Sequence, residues 1–208
     1  MDPDLARFLN WVRPRMRRVH AAFFEAMVVE LGEHLRRRGR RARILGAADL
    51  RGFLAGWALR NEPRMGGAEL RAFGAALCVF AAWHATRLPA GRARRLRADV
   101  RRGVRDTRRA FRAGALLDAC MTAGSMEGTR DGFWQVALAG ATHVVLRDIQ
   151  GGACVGPVPL PPGVVAALPT GAVLNLRLAL DATGWSVVEH GACYPALVAS
   201  ELRAGAWS

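Results

Sequence analysis

Apolar residues recur at three- and four-residue steps from the first residues of the chain onward. Leu5, Phe8, Leu9, Val12, Met16, Val19, Phe23 and Met27 keep that spacing, which predicts a long amphipathic helix over 3–38. Asp2 is placed to cap it and Pro3 to occupy its first position, where a missing N–H costs nothing. Pro14 is where such a helix kinks or divides. The end is basic, His34 to Arg43, as a helix C-terminus favours, and Gly39 is a stop signal. Further helices are predicted over 49–61, ended by Pro63, and over 68–87, apolar on most faces and therefore buried. Residues 92–121 form the most basic helical stretch, with one apolar stripe at Leu96, Val100, Val104 and Phe111.

The run "GFWQVALAGATHVVLRDI", 132–149, is apolar with little alternation, and its small residues would let neighbours approach closely. It is the predicted central core helix. Five prolines between Gly151 and Gly171 make that segment a loop with at most short helical turns. The last part, "VLNLRLALDATGWSVVEHG", fits two alternating strands around "DATG" or two helices around Gly184. The helical reading follows the rest of the chain. The fold class expected is therefore mainly α: a compact helical bundle around a central apolar helix at about 132–149, with room for a short β-hairpin near the C-terminus. The expected division is a basic amphipathic N-terminal helical segment, 1–45, and a helical globular domain, 46–208.

Composition changes this picture in two places. The formal charge is +13, and every basic side chain is arginine. GC-rich coding accounts for the choice of Arg over Lys, but the cationic surface remains, and guanidinium forks suit phosphate and carboxylate. Cys78, Cys120, Cys154 and Cys193 form no close pair, which excludes zinc-type spacing and points to free thiols in a reducing compartment. No uncharged apolar run is long enough to cross a membrane, and the acidic start has no cleavage-site pattern.

Catalytic constellations are thin. His20, His34, His84, His143 and His190 show no metal-ligand spacing, and His143 reads as a core residue. No phosphate-binding glycine loop or nucleophile elbow is present. His190 and Cys193 are near neighbours without a further partner for thiol chemistry. The sequence predicts no enzyme, no cofactor and no metal.

The arginine runs carry a nucleic-acid hypothesis. "RRRGRRAR" (36–43) and "GRARRLRADVRRGVRDTRR" (91–109) would track a phosphate backbone through Arg36, Arg37, Arg38, Arg40, Arg41, Arg94, Arg95, Arg101 and Arg102, releasing counterions as they bind. Against it stand Asp99 and Asp106, spaced to pair with neighbouring arginines, and the lack of interleaved aromatics for stacking.

"RDGFWQVALAG" resembles the first homology motif of the Bcl-2 family of apoptosis regulators, and "TGWSVVEHG" resembles the second. The resemblance rests on Gly132, Trp134, Gly184 and Trp185. Phe133 stands where that motif has Asn, Gln135 where it has Gly, and Val136 where it has the ligand-binding Arg. The resemblance implies that Trp134 seals the end of a buried helix beneath a groove, with Val136 facing a partner's amphipathic helix. The function it implies is that of a non-enzymatic helical protein-interaction module, a viral inhibitor of apoptosis. The arginine reading implies instead a nucleic-acid-binding or virion-associated regulatory protein. Either role is intracellular, cytoplasmic or nuclear.

Overall fold

The structure, a computed structural model, describes residues 1–16, 18–61, 67–120 and 129–203. Pro63 and residues 121–128 lie outside the described residues.

Helix α1 spans Pro3–Val12. Asp2 caps it, its Oδ1 accepting from the Asp4 N–H at 2.8 Å. A 3-10 turn at Arg13–Arg15, built around Pro14, separates it from α2, Arg18–Arg37. The single helix expected over 3–38 is thus two, divided where proline removes a donor and blocks the preceding turn. Gly39 ends α2 with φ +60°, a conformation glycine adopts without steric cost. Then come α3 (Ala47–Asn61), α4 (Gly67–Ala85) and α5 (Ala90–Cys120).

The chain forms two compact units. The first comprises Met1–Leu54 and Arg64–Val104, the second Ala55–Pro63 and Arg105–Ser208. In the first unit, Leu5 and Phe8 of α1, Met27 and Leu31 of α2, and Leu77 and Phe80 of α4 are fully buried. Phe8 meets Phe80 edge-on, with ring centroids 5.1 Å apart. The α4–α5 contact is close: a Cβ at Gly74 would lie 2.5 Å from Val104 Cγ1.

The second unit is built on a five-stranded antiparallel sheet. Its strands are β1 (Thr129–Ala139), β2 (His143–Asp148), β3 (Cys154–Pro159), β4 (Val173–Asp181) and β5 (Gly184–Tyr194), in the order β3-β2-β1-β4-β5. Strands β1 to β3 follow one another. The chain then passes through a short helix, α6 (Pro162–Ala167), and β4 returns beside β1, which is a Greek key. β1 pairs with β4 through its first half and with β2 through its second, with a bulge between Val136 and Leu138. The sheet curls until its edge strands β3 and β5 approach each other. The result is a five-stranded, partly open Greek-key barrel, the arrangement of OB-type folds.

Trp134, Val136, Val144, Leu146, Leu174, Leu176 and Leu178 fill its interior. Ala110, Ala113 and Leu117 of α5 and Val164 and Val165 of α6 complete that core. On the other side of the sheet, Phe133, Val173 and Tyr194 pack with Val198 and Ala199 of a last helix, α7 (Val198–Arg203).

Two expectations are overturned here. The chain is a mixed α/β protein, not mainly α and not all-α. No central apolar helix exists at 132–149; that stretch is β1, a turn and β2. Gly140 donates its N–H to the His143 carbonyl to close the turn, and β2 alternates Val144 and Leu146 inward with His143 and Arg147 outward. The alternation was hidden because outward positions such as Ala137, Leu138 and Ala139 are apolar too, although exposed. Periodicity cannot separate a strand lined on both faces from a buried helix. The C-terminal segment is β4 and β5, two full members of the sheet and more than a short hairpin. Its turn is at the "DATG" named from sequence, where Asp181 Oδ1 accepts from Thr183 N at 2.7 Å and Oγ1 at 2.6 Å.

Candidate nucleic-acid interface

Helix α5 is unbroken over 31 residues. Arginine is a good helix former, and the burial pattern supplies the rest. Ala93, Leu96, Val100, Gly103, Thr107, Ala110, Gly114 and Leu117 are buried at alternating three- and four-residue steps, a single apolar stripe. From Arg94 to Arg112 ten positions are exposed. Nine are arginines (94, 95, 97, 101, 102, 105, 108, 109 and 112), and the tenth is Ala98. At 1.5 Å per residue the arginine face is about 27 Å long.

The partners of these arginines decide what they are available for. Arg109 Nη2 donates to the Leu168 carbonyl at 3.0 Å, at the end of α6, and so has a structural use. The other eight have no ion pair among the described residues. Asp99, expected to neutralise its helical neighbours, instead receives Arg51 Nη1 of α3 at 3.2 Å. Asp106 forms no ion pair among the described residues. Arginines three and four residues apart therefore face one another uncompensated, each such like-charge pair costing roughly 0.2–0.5 kcal/mol at low salt.

The earlier run is different. Arg36 grips Glu33 in a fork, Nε to Oε2 at 3.0 Å and Nη2 to Oε1 at 2.7 Å, and Arg37 Nε reaches the same Oε1 at 3.2 Å. Hydrogen bonds from Arg36, and then from Arg37, hold the Glu33 carboxyl down at about 2. Arg40 Nε lies 4.0 Å from Asp49 Oδ1. Arg38 also has a partner, while Arg41 is exposed. Much of this run is charge-compensated in place. Of the nine arginines named from sequence, Arg94, Arg95, Arg101 and Arg102 lie on the open face of α5. Arg97, Arg105, Arg108 and Arg112 complete that face, and the signal that finds them is their three- and four-residue spacing.

The residues expected to meet a partner helix are components of the barrel. Trp134 is 3% exposed, and its Nε1 donates to the Leu176 carbonyl at 3.1 Å across β4. Val136 points into the same core. Gly132 sits opposite Leu176 in the β1–β4 pairing. Gly184, at φ +118°, closes the β4–β5 turn. Trp185 packs partly buried on the core, with the Arg130 guanidinium 5.9 Å from its ring centre. A cleft of about 660 Å³ does lie in the first unit, between Phe23 and Phe24 of α2 and Ala72 and Ala75 of α4, but none of these five residues lines it.

Among the described residues, acid–base groups gather into no reactive cluster. His143, read as a core residue, is exposed on β2. Among the histidines whose burial is described, the buried one is His84, whose Nε2 meets the Leu45 carbonyl at 3.0 Å and must carry the proton, since a carbonyl only accepts. Burial lowers its pKa below the ordinary histidine value. His190 Nδ1 lies 3.5 Å from Asp118 Oδ1, whereas Cys193 is sealed in the barrel core. Among the described residues no group of His, Cys, Asp and Glu is arranged to hold a metal ion, and no helix is long and apolar enough to cross a membrane. Compared with models of known families, with curated proteins and with solved structures, the chain matches none of them.

Proposed function

We propose that this protein binds nucleic acid through the phosphate backbone, and that α5 is the binding element. The observation that carries the reading is the composition of the exposed face from Arg94 to Arg112: arginine at every position but one, with eight of the nine side chains unpaired among the described residues. Uncompensated arginines along one helix face repel one another in the free protein. A polyanion relieves that repulsion, and counterion release from its phosphates supplies the favourable free energy. The competing reading, a groove for a partner's amphipathic helix, draws no support from Trp134 and Val136, which are enclosed in the barrel. The barrel is consistent with nucleic-acid binding but does not argue for it, because folds of this type host several functions.

The test is fluorescence anisotropy with labelled oligonucleotides across a salt series. Binding should weaken linearly on a log–log plot, with a slope of about −5 if some six phosphates are neutralised. The triple charge reversal Arg101→Glu, Arg105→Glu, Arg108→Glu should abolish it. The pair Arg36→Gln, Arg37→Gln should leave it within about twofold, since Glu33 already occupies those side chains. Salt-independent binding, or equal losses from both sets of substitutions, would count against α5 as the interface.

A further inference from the structure

The geometry points to B-form double-stranded DNA, held by both walls of one groove and without regard to sequence, as the ligand of this helix. The inference rests on the reading of α5 as a nucleic-acid-binding element and narrows it.

Three features of the exposed face favour a duplex. Proteins that hold single strands do so largely by stacking bases on aromatic rings. Between Arg94 and Arg112 no aromatic residue is exposed, and the one aromatic of α5, Phe111, is half-buried. The arginines also spread around the helix. At 3.6 residues per turn they cover an arc of about 160°, with Arg97 and Arg108 on one flank and Arg95 and Arg102 on the other. One strand can follow one flank. The two backbones that border a groove meet both flanks at once. Finally, a face about 27 Å long runs beside about 16 phosphate charges of duplex, one for each 1.7 Å of axis. That density lies in a stiff array, with no flexible chain to be ordered first.

Groove dimensions select the duplex form. The B-form major groove is about 12 Å wide and admits an α-helix, whereas the A-form RNA major groove is deep and narrow. Sequence tolerance follows from the flanking arginines meeting phosphates, which carry no sequence information; the base contact that arginine does favour is guanine O6 and N7. Arginine has no acceptor, so the face cannot pair with the amino groups of cytosine or adenine. No Asn, Gln, Ser or Thr is exposed on this stretch to supply one; its single hydroxyl, Thr107, is fully buried.

The test uses the intact protein and four labelled 24-mers at about 150 mM salt: two DNA duplexes of unrelated sequence, one RNA duplex and one single DNA strand. The two DNA duplexes should bind within about threefold of each other, and the RNA duplex and single strand at least tenfold more weakly. Two flank variants, Arg97→Gln with Arg108→Gln and Arg95→Gln with Arg102→Gln, should each reduce the salt slope on duplex DNA by about two, with unchanged far-UV circular dichroism. Equal or tighter binding of RNA duplex or single strand overturns the duplex assignment while leaving nucleic-acid binding in place. A tenfold preference between the two DNA sequences overturns sequence tolerance, and a loss confined to one flank overturns the two-walled placement. Binding of none of the four overturns both this inference and the function it rests on.

Discussion

Trp134 provides a sharp test of the architecture, because its two readings differ in what they put at stake. As a barrel-core residue it is 3% exposed, and its Nε1–H is satisfied inside the core by the Leu176 carbonyl. Truncation to alanine removes the indole and leaves a cavity among Leu174, Leu176 and Val136. For a buried tryptophan that costs about 3–5 kcal/mol. Replacement by phenylalanine keeps much of the apolar ring but deprives a buried carbonyl of its indole donor and leaves a smaller void, costing about 1–2 kcal/mol. The assay is urea unfolding followed by far-UV circular dichroism. Because the chain has two compact units, the shift belongs to the transition of the unit that holds the sheet, and a single global free energy is assumed only if one transition is seen. DNA affinity measured well below the midpoint should stay within twofold for the phenylalanine variant. The reasoning fails if the alanine variant unfolds within 1 kcal/mol of the parent, since a side chain that can be removed so cheaply is not enclosed in a core.

Other outcomes follow from the same structure. Gly74→Ala should destabilise by about 1–3 kcal/mol, because its Cβ would press on Val104 Cγ1, a branched side chain with little freedom on a helix; adding Val104→Ala should recover most of the loss in a double-mutant cycle. The Glu33 carboxyl should titrate near 2 in a carbon-detected NMR series and move back toward 4.5 in Arg36→Ala with Arg37→Ala. Its folded-state pKa is depressed, so its pairing is complete above pH 4.5 and is lost only as pH falls through about 2. His84 is likewise depressed, held neutral by burial. The stability linked to it is complete above pH 6.5 and declines as pH falls below that value toward its lowered folded-state pKa. The urea midpoint should therefore drop more between pH 7.5 and 5.5 in the parent than in His84→Gln, whose amide can still donate to Leu45 and cannot be charged.

The two arginine runs show why a charge count does not locate an interface. Both are dense, and the first is the more compact in sequence. Glu33 sits one helical turn before Arg36 and Arg37 and takes both, and Asp49 lies near Arg40. On α5 the acid best placed to compensate, Asp99, is drawn away by Arg51. What is left on α5 is a face of one chemistry, available to something that carries many negative charges.

Much of the helical half was legible because its signals are local. Asp2, Pro3, Pro14 and Gly39 act within one turn of the backbone they cap, kink or end, and three- and four-residue apolar spacing is set by the helix itself. The sheet was not legible for the converse reason. Val144 and Val145 favour a strand, but Ala137, Leu138 and Ala139 blur the alternation, and the choice is made by partners far along the chain: β4 lies some forty residues beyond β1. Even the alternation in "VLNLRLALD", with Leu174, Leu176 and Leu178 turned one way and Asn175 and Arg177 the other, became decisive only once β1 was there to pair with it. The sequence by itself determined the cationic balance, the helix stops and the spacing of arginines on α5. Tertiary structure alone decided that Trp134 is enclosed, that Arg51 draws Asp99 away from its helical neighbours, and that the arginine face of α5 is left open. Pairing of strands and of charges depends on distances between residues remote in the chain, and no local pattern encodes those distances.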